Sequence, residues 1–448
     1  MARKVSAFAR GGVVPSMGPM TGSTSNSSPM RPRPAAARSA DEAHRLTGGR
    51  VLLLALIAGT TVASPYYCQP VLASLGTSLG MDADAAGWVV VAALLGNAFA
   101  QFLVVPLVDR RERRRLTRTM LGVQLLGLVG MAAAPNLAAA VVASAVVGVG
   151  ASGAMTLVPY AVGLAAGEQR GRVTGAVMSG VLFGILLSRS ASGFLSARIH
   201  WRTVYVVAAV LCVAATIALR SMPRSRGTAD HMPYRRLLRS LPRVVSGDRL
   251  VRRHMALGAL GFVSFNLLWT GLTLLLSGTS HNLSDAAIGL FGLLGAAGAM
   301  VARNAGRLHD GGHARRTLWW GWIAMTAAWP ITAPGSGGGA FGLIALILGV
   351  LLLDTGMQAQ HITNQSILLS ARAAQAGRVT TVYRGTNVIA GAAGSTLATR
   401  LFPVAGWTCL AAVGLGCGVL ALAALGTTRH CAHDGEDHTG SGRRDGSS

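Results

Sequence analysis

The chain has 448 residues, of which 51% are hydrophobic and only 12% are charged. This composition is too apolar for an ordinary soluble domain and predicts an integral membrane protein. The formal net charge of +24 would indicate a nucleic-acid partner only if the basic residues formed one patch, and they do not.

The chain begins with a polar segment and continues as a series of apolar windows. Residues 1–49 are rich in Ser, Pro, Gly and Arg and contain no apolar core of signal-peptide length, which predicts a disordered cytoplasmic tail. A helix that crosses a bilayer needs about 20 predominantly apolar residues. Twelve such windows follow, called spans 1 to 12, near residues 50–73, 86–107, 117–135, 138–160, 174–197, 203–220, 255–277, 286–304, 317–334, 340–366, 380–400 and 404–426.

The basic residues lie mainly on one side of these spans. Thirty-five of the 40 Lys and Arg residues fall in the two tails, the central loop and the loops that follow spans 2, 4, 8 and 10. Arg198, Arg202 and Arg400 lie on the opposite side. Because cytoplasmic loops carry the excess of Lys and Arg, both termini and the central loop are predicted to be cytoplasmic, in a multi-pass protein of the cell membrane. The charge therefore reports topology, and no nucleic-acid partner is expected.

Landmarks recur in the two halves of the chain. They are GRVT at Gly171 and Gly377, Trp at 201 and 407, and Asp at 109 and 310. Their common order predicts an all-α membrane protein of twelve transmembrane helices in two six-helix halves, with substrate bound between the halves. The predicted parts are the tail 1–49, the half 50–220, a basic linker 221–254, the half 255–426 and a disordered cytoplasmic tail 427–448.

The segment VPLVDRRERR, residues 105–114, follows span 2, and Gly306, Leu308, Asp310 and Arg315 follow span 8. These positions resemble the loop signature of the major facilitator superfamily, although residues 105–114 lack both of its glycines. SPYYCQP in span 1, GILLSRSASG in span 5 and LLLDTGMQAQHITNQ in span 10 resemble a bacterial subgroup of proton-coupled efflux carriers. The resemblance covers residues 50 to 426.

The resemblance implies a latch that holds the cytoplasmic side of such a carrier closed. Its predicted members are Asp109, Arg110, Arg113, Asp310 and Arg315. An aspartate at the membrane edge can accept bonds from the positive end of a neighbouring helix, and this contact breaks when the halves move apart. The alternative is that the arginines only fix the orientation of the chain.

Span 10 carries a polar stripe that an apolar span does not need. Asp354, Gln358, His361 and Gln365 recur at helical spacing and therefore share one face. A charged aspartate at the centre of a membrane helix costs about 2.5–3.5 kcal/mol, so the stripe should face the bundle interior. Asp354 and His361 are titratable, and either could carry a coupling proton.

Arg189 lies in the middle of span 5, and its positive charge is a candidate partner for Asp354. It could assist proton coupling, and it could equally form an inert ion pair with Asp354. Direct contact between Asp354 and the substrate is a third interpretation. The fourth-helix arginine that the resemblance implies for proton transfer is absent, because Ser144 occupies its position.

Further polar and aromatic residues are predicted to line a substrate cavity. Aromatic rings with a few amides suit a planar or amphipathic organic compound. The alternatives are that such tyrosines anchor the protein at the membrane surface and that such amides join helices. The predicted substrate-binding residues are Tyr66, Tyr67, Gln69, Asn97, Gln101, Asn266, Trp269, Gln358, Asn364 and Gln365.

Taken together, these features predict a carrier that exports a small organic compound by proton antiport with alternating access, and the resemblance implies that it acts as a monomer. Proton-coupled uptake of a metabolite, or a sensor of the same fold that no longer transports, are the alternatives. No nucleotide-binding loop, catalytic pair or metal-ligand pattern is found in the sequence. We therefore expect no enzymatic activity, no cofactor and no bound metal, with the lipid bilayer, protons and a small molecule as the partners.

Overall fold

The structure is a computed structural model, and it describes residues 46–80, 83–108, 110–165, 169–225, 234–278, 280–295, 313–372 and 375–427. In this part of the chain the regular structure is entirely helical. The predicted all-α membrane fold is confirmed. Asp109 and Asp310, two predicted latch residues, lie outside the described residues.

The first half contains eight helices. Span 1 is divided into α1 and α2, and span 4 into α5 and α6, while single helices form the other spans. Their bounds are α1 Gly48–Ala63, α2 Leu72–Ser78, α3 Ala83–Leu103, α4 Arg113–Ala133, α5 Leu137–Ala151, α6 Ala154–Leu164, α7 Arg170–Arg198 and α8 Trp201–Ala218.

The linker and the second half contain six more helices. The linker forms α9, Tyr234–Ser246, and the remaining helices are α10 Arg249–Ser277, α11 Asp285–Gly295, α12 Ala314–Thr332, α13 Gly339–Ala371 and α14 Ala376–Gly426. α11 is described only as far as Gly295. α14 holds both span 11 and span 12, which are separated where Gly406 adopts a φ of 66°. This left-handed conformation favours glycine, because any side chain would strain it.

Nine helical stretches of the described part are long and apolar enough to cross a membrane when α5 and α6 are counted as one, and the last of them contains two predicted spans. Each of the twelve predicted spans overlaps helix in the described residues, span 8 only as far as Gly295. Span 1 is interrupted at the segment SPYYCQP, because α1 ends at Ala63 and a 3-10 turn covers Ser64–Tyr66.

Several helix starts are fixed by polar caps. The side chain of Asn136 accepts a bond from the Ala139 N–H at the start of α5, and Asp248 accepts bonds from the N–H groups of Leu250 and Val251 at the start of α10. Such caps satisfy backbone donors that the first turn of a helix leaves free.

Glycines set the distance between several helices. Gly59 of α1 lies directly against Gly180 and Gly184 of α7, and Gly148 of α5 lies against Ala93 of α3. A methyl group at any of these glycines would overlap backbone of the facing helix. Membrane helices associate largely through such close packing, because lipid provides no hydrophobic drive between them.

Within the described residues, two helix pairs bring the halves into close backbone contact. α3 of the first half packs on α14, with Gly87 near Thr399 at one end of the pair and Phe102 near Gly385 at the other. α7 packs on α11, where Gly193 lies against the backbone of Asp285. We call the end of the bundle that carries α9 the linker end, and the opposite end, which carries Asp285, the far end.

Candidate proton and substrate site

The centre of the site is a carboxyl group held by an indole. Asp354 lies in the middle of α13 and is only 4% exposed. Trp269 of α10, also buried, donates a hydrogen bond from Nε1 to Asp354 Oδ1 at 3.2 Å. Two residues that the sequence indicated separately are therefore direct partners.

Arg189 of α7 contacts the same indole from the first half. Its guanidinium carbon lies 3.9 Å from the centroid of the Trp269 ring, and Nε donates to Gln69 Oε1 at 2.8 Å. The rings of Tyr66 and Phe265 flank the guanidinium at 5.3 and 5.9 Å. The side chain is 3% exposed, and in the part of the chain that the structure describes Nη2 has no hydrogen-bond partner. A buried arginine is thus held by aromatic faces and one neutral amide.

Asp354 and Arg189 form no direct salt bridge in this structure, although both are described. The indole of Trp269 lies between them, stacking on the cation and bonding to the carboxyl group. The inert ion pair that the sequence left open is therefore not observed as a direct contact. Opposite charges linked in this way can still influence one another through a low-dielectric interior.

α11 approaches this cluster with glycines. A methyl group at Gly295 would lie 3.2 Å from Asp354 Oδ2, and one at Gly292 would lie 2.7 Å from Arg189 Cβ. Side chains at these positions would therefore press on both charged residues. Gly292 and Gly295 carry no signal in the sequence alone, because their role depends on which helix faces them.

The rest of the α13 stripe runs towards the linker end. Gln358, His361 and Gln365 are partly exposed. His361 Nδ1 lies 3.2 Å from the Tyr383 hydroxyl, and its ring stacks on the ring of Tyr383 at 5.6 Å. Because α13 is continuous from Gly339 to Ala371, the predicted helical spacing of the stripe is preserved.

Asn364 belongs to a different polar chain. Its Oδ1 lies 2.6 Å from His254 Nδ1, and its Nδ2 donates to Gln360 Oε1 at 2.7 Å. Gln360 in turn contacts the sulfur of Met357. All four side chains are buried between α10 and α13. Asn364 therefore bonds to protein, and sequence reasoning missed its partners His254 and Gln360.

The other predicted cavity residues are not all brought together. Tyr66 and Gln69 contact Arg189, whereas Tyr67 is buried in the core of the first half. Gln101 donates to Asn97 at 3.3 Å on α3. Asn266 donates to the backbone oxygen of Phe262 on its own helix.

Three predicted latch residues are described. Arg113 donates from Nη1 to the Pro159 carbonyl oxygen at 3.0 Å, which ties α4 to α6. Arg110 is partly buried and Arg315 is exposed. The latch itself stays a prediction, because both of its aspartates lie outside the described residues.

Two charged residues outside the predicted site join the halves. At the far end, Asp285 Oδ2 accepts hydrogen bonds from Ser74 at 2.5 Å and from Ser196 at 2.6 Å. Nearer the linker end, Arg384 of α14 reaches the sulfur of Met155 on α6. Asp285 lies one residue before predicted span 8, so its burial was not visible in the sequence. Within the described residues no group of three or more His, Cys, Asp or Glu side chains could hold a metal ion.

Comparison with known proteins gives the same fold and family. The sequence profile described as Major Facilitator Superfamily matches residues 51–395. The protein named Uncharacterized transporter YgaY of Escherichia coli O157:H7 is 37% identical over 371 residues, covering 82% of this chain and 93% of that protein. The protein named Probable transporter SCO4007 of Streptomyces coelicolor is 30% identical over 361 residues, covering 78% and 79%.

Solved transporters share the architecture. The nucleoside transporter NupG matches with a TM-score of 0.70 at 11% identity, covering 84% of this chain and 99% of that one. The xylose transporter XylE from E. coli, in an inward open conformation, matches with a TM-score of 0.61 at 14% identity, covering 83% and 94%. At these identities the likeness shows the fold alone. The family profile and the sequence relatives together establish that this chain belongs to the Major Facilitator Superfamily.

Proposed function

We propose that the protein exports a small organic compound across the cell membrane in exchange for protons, by alternating access of its two halves. Membership of the family makes it a multi-pass transporter of small molecules, with a transport role and no enzymatic one. Export, the antiport of protons and the residues involved are our proposal, as are cytoplasmic termini and action as a monomer.

The observation that carries the proposal is the Arg189, Trp269 and Asp354 cluster, which is built from both halves. Arg189 comes from α7 and Asp354 from α13, while Trp269 of α10 contacts both. When the halves move against each other, the stack between Arg189 and Trp269 must change. A proton on Asp354 can therefore alter the contact between Arg189 and Trp269, which the movement of the halves also alters.

The chemistry of Asp354 suits a proton carrier. A carboxylate in the middle of a membrane helix is costly, and within the described residues Asp354 accepts a side-chain hydrogen bond from the indole N–H of Trp269 alone. Protonation removes the negative charge that attracts Arg189 across the indole. The carboxyl group of Asp354 can therefore be ionised or protonated. Each of these two forms stabilises a different arrangement of α7 relative to α13.

The surroundings suit a planar organic compound. Tyr66, Phe265 and Trp269 present aromatic faces around Arg189, and Gln69 adds an amide. A compound that bonds to the ionised Asp354 competes with the proton for that group. By reciprocity, proton binding then weakens substrate binding, which is the requirement for antiport.

One observation favours a second candidate, the proton-coupled uptake of an organic anion. The Nη2 atom of Arg189 is buried and has no hydrogen-bond partner among the described residues, so it could bond to a carboxylate or phosphate of the substrate. Such an anion would bind best when Asp354 is protonated, because the net charge of the site then stays at zero. Proton and substrate would travel together in that case.

The test is substrate-triggered proton movement in proteoliposomes, with a pH-sensitive dye and a panel of cationic, neutral and anionic compounds. Wild type, Asp354→Asn and the matched Asp354→Glu, which keeps a carboxyl group, are compared. We expect proton movement in wild type, partial movement in Asp354→Glu and none in Asp354→Asn. Coupled flux that survives in Asp354→Asn would remove Asp354 from the mechanism.

The pH dependence of substrate binding separates the two candidates. Antiport predicts that affinity falls as pH falls, because substrate and proton compete. Uptake of an anion predicts the opposite sign, together with a loss of affinity in Arg189→Gln for anionic compounds alone. An affinity that does not change with pH in either direction would contradict both candidates.

A further inference from the structure

The linker helix α9 has two chemically different faces. Its sequence is YRRLLRSLPRVVS, and it contains no acidic residue. Leu238, Leu241, Val244 and Val245 lie on the face that packs against the bundle. The opposite face exposes Arg235, Arg236, Arg239 and Arg243. A helix with one apolar and one basic face is typical of membrane surfaces.

The apolar face fixes the depth of α9. It packs against Val251 and Met255 of α10, Leu368 of α13, and Val379 and Val382 of α14. These positions lie where spans 7, 10 and 11 begin or end. Val251 is four residues before the predicted start of span 7, which is about 6 Å along a helix. α9 therefore lies at the level where these helices leave the bilayer.

Polar contacts hold α9 in this position. The Tyr234 hydroxyl donates to the carbonyl oxygen of Leu103 at the end of α3, and Arg252 donates to the carbonyl oxygen of Ser246 at the end of α9. Beyond that end, Asp248 bonds to Arg372 between α13 and α14. α9 is thus attached to helices of both halves at the linker end.

The carboxylate that follows α9 in the sequence is engaged elsewhere and does not neutralise the basic face. Asp248, which follows α9, is occupied by Arg372 and by the N-terminus of α10. Four exposed guanidinium groups at headgroup depth, without acidic residues in their own helix, match the charge of phosphate groups in anionic lipids.

We propose that the basic face of α9 binds anionic phospholipid headgroups and holds the linker against the membrane surface. The partner is the bilayer itself, because the depth of α9 places the arginines beside headgroups rather than in open solution. Arginine forms bidentate bonds to phosphate, so the interaction can be specific as well as electrostatic. Because α9 also contacts α3, lipid binding would stabilise the contact between the halves at this end. This inference does not depend on the substrate or on the direction of transport.

The experiment measures hydrogen–deuterium exchange of peptides covering residues 234–246, using the full chain in nanodiscs. One set of discs contains phosphatidylcholine alone, and the other also contains phosphatidylglycerol. We expect phosphatidylglycerol to slow exchange of α9, with a protection that falls about fivefold for each arginine removed. High salt should weaken the protection, because it screens exposed charges.

Three variants make the test specific to this face. R235Q/R236Q/R239Q should lose the effect of phosphatidylglycerol, whereas R235K/R236K/R239K should keep most of it. The matched control R115Q/R220Q/R224Q removes three exposed arginines outside α9, two from the first half and one from the start of the linker, and should behave like wild type.

Equal exchange in the two kinds of disc, or an equal loss in the control variant, would overturn the proposal. Protection by polyglutamate, with none by phosphatidylglycerol, would overturn it too and assign the face to an acidic protein. None of these measurements is a transport assay. Their results are therefore independent of the transport test on Asp354.

Discussion

The two ends of the bundle join the halves by different physical means. At the far end the contact is polar and directional, since Asp285 accepts bonds from serines of α2 and α7. Here α7 and α11 also approach so closely that a methyl group at Gly193 would overlap the carbonyl oxygen of Asp285. This contact depends on particular atoms and fits one arrangement of the two helices.

At the linker end the contact is mainly apolar. Phe102 of α3 lies against Gly385 of α14 and packs on a cluster that includes Leu241 and Tyr383. A packed ring can slide or rotate with little loss, whereas a hydrogen-bonded carboxylate cannot. The linker end should therefore tolerate small displacements that the far end does not.

The difference has a consequence for the candidate site. α7 carries both Arg189 and Ser196, and α11 carries both Asp285 and Gly292, which lies against Arg189. The far-end contact and the site thus use the same pair of helices. Separation of α7 from α11 at Asp285 would also change the surroundings of Arg189, so the far end is the part most directly connected to the proposed proton site.

The largest effect is expected for Asp285→Asn. The substitution keeps the shape but removes the charge that strengthens both serine bonds, which should lower the free energy of unfolding by about 2 kcal/mol. Chemical unfolding in micelles measures this loss. In a cycle with Ser196→Ala the two losses should not add, because both variants remove one interaction. If the two losses of unfolding free energy add in full, the contact between Asp285 and Ser196 is not the cause of the loss.

A smaller effect is expected for Gly385→Ala at the linker end. A methyl group there would press on the ring of Phe102, and overpacking a side chain that can move should cost about 1 kcal/mol. Phe102→Leu in the same chain should recover most of the loss, since it frees space for the methyl group. If the double variant is less stable than Gly385→Ala alone, the apolar description of this end is wrong.

The sequence predicted well what depends on a single helix. The spans follow from the lengths of apolar windows, and the stripe of Asp354, Gln358 and His361 follows from helical spacing. The pairing of Trp269 with Asp354 could not be derived, although both residues were singled out, because it depends on how α10 and α13 face each other. The depth of Asp285 was missed for a related reason: a carboxylate at the end of a span looks exposed until two serines of the other half cover it.

The contacts of two arginines could not be derived from the sequence for the same reason. Arg189 was conspicuous in mid-span, but its neighbours Tyr66, Phe265 and Trp269 come from two other helix segments. Arg384 lies four residues inside span 11 and was not among the predicted site residues, whereas in the structure it reaches α6 of the first half. Contacts between halves that lie far apart in sequence have no signature in either half alone.

The smallest effect is expected at the exposed ion pair of the linker end, between Asp248 and Arg372. Arg372 is 45% exposed, so the pair should contribute only about 0.5 kcal/mol. Asp248→Asn removes the ion pair and keeps the helix cap, because asparagine caps the start of a helix as well as aspartate does. Arg372→Gln should give the same loss of unfolding free energy, and the double variant should lose no more.

The pH dependence of this pair has a definite sign. The bond to Arg372 holds the pKa of Asp248 below its ordinary value of 3.8. The contribution of the pair is therefore complete at neutral pH and disappears only as pH falls below 3.8, through the lowered pKa. The difference in unfolding free energy between wild type and Asp248→Asn should stay constant across the neutral range and shrink in acid. A difference that grows in acid would mean that the charge of Asp248 destabilises the junction of α9 and α10, and the polar contacts attributed to the linker end would then reduce to the helix cap alone.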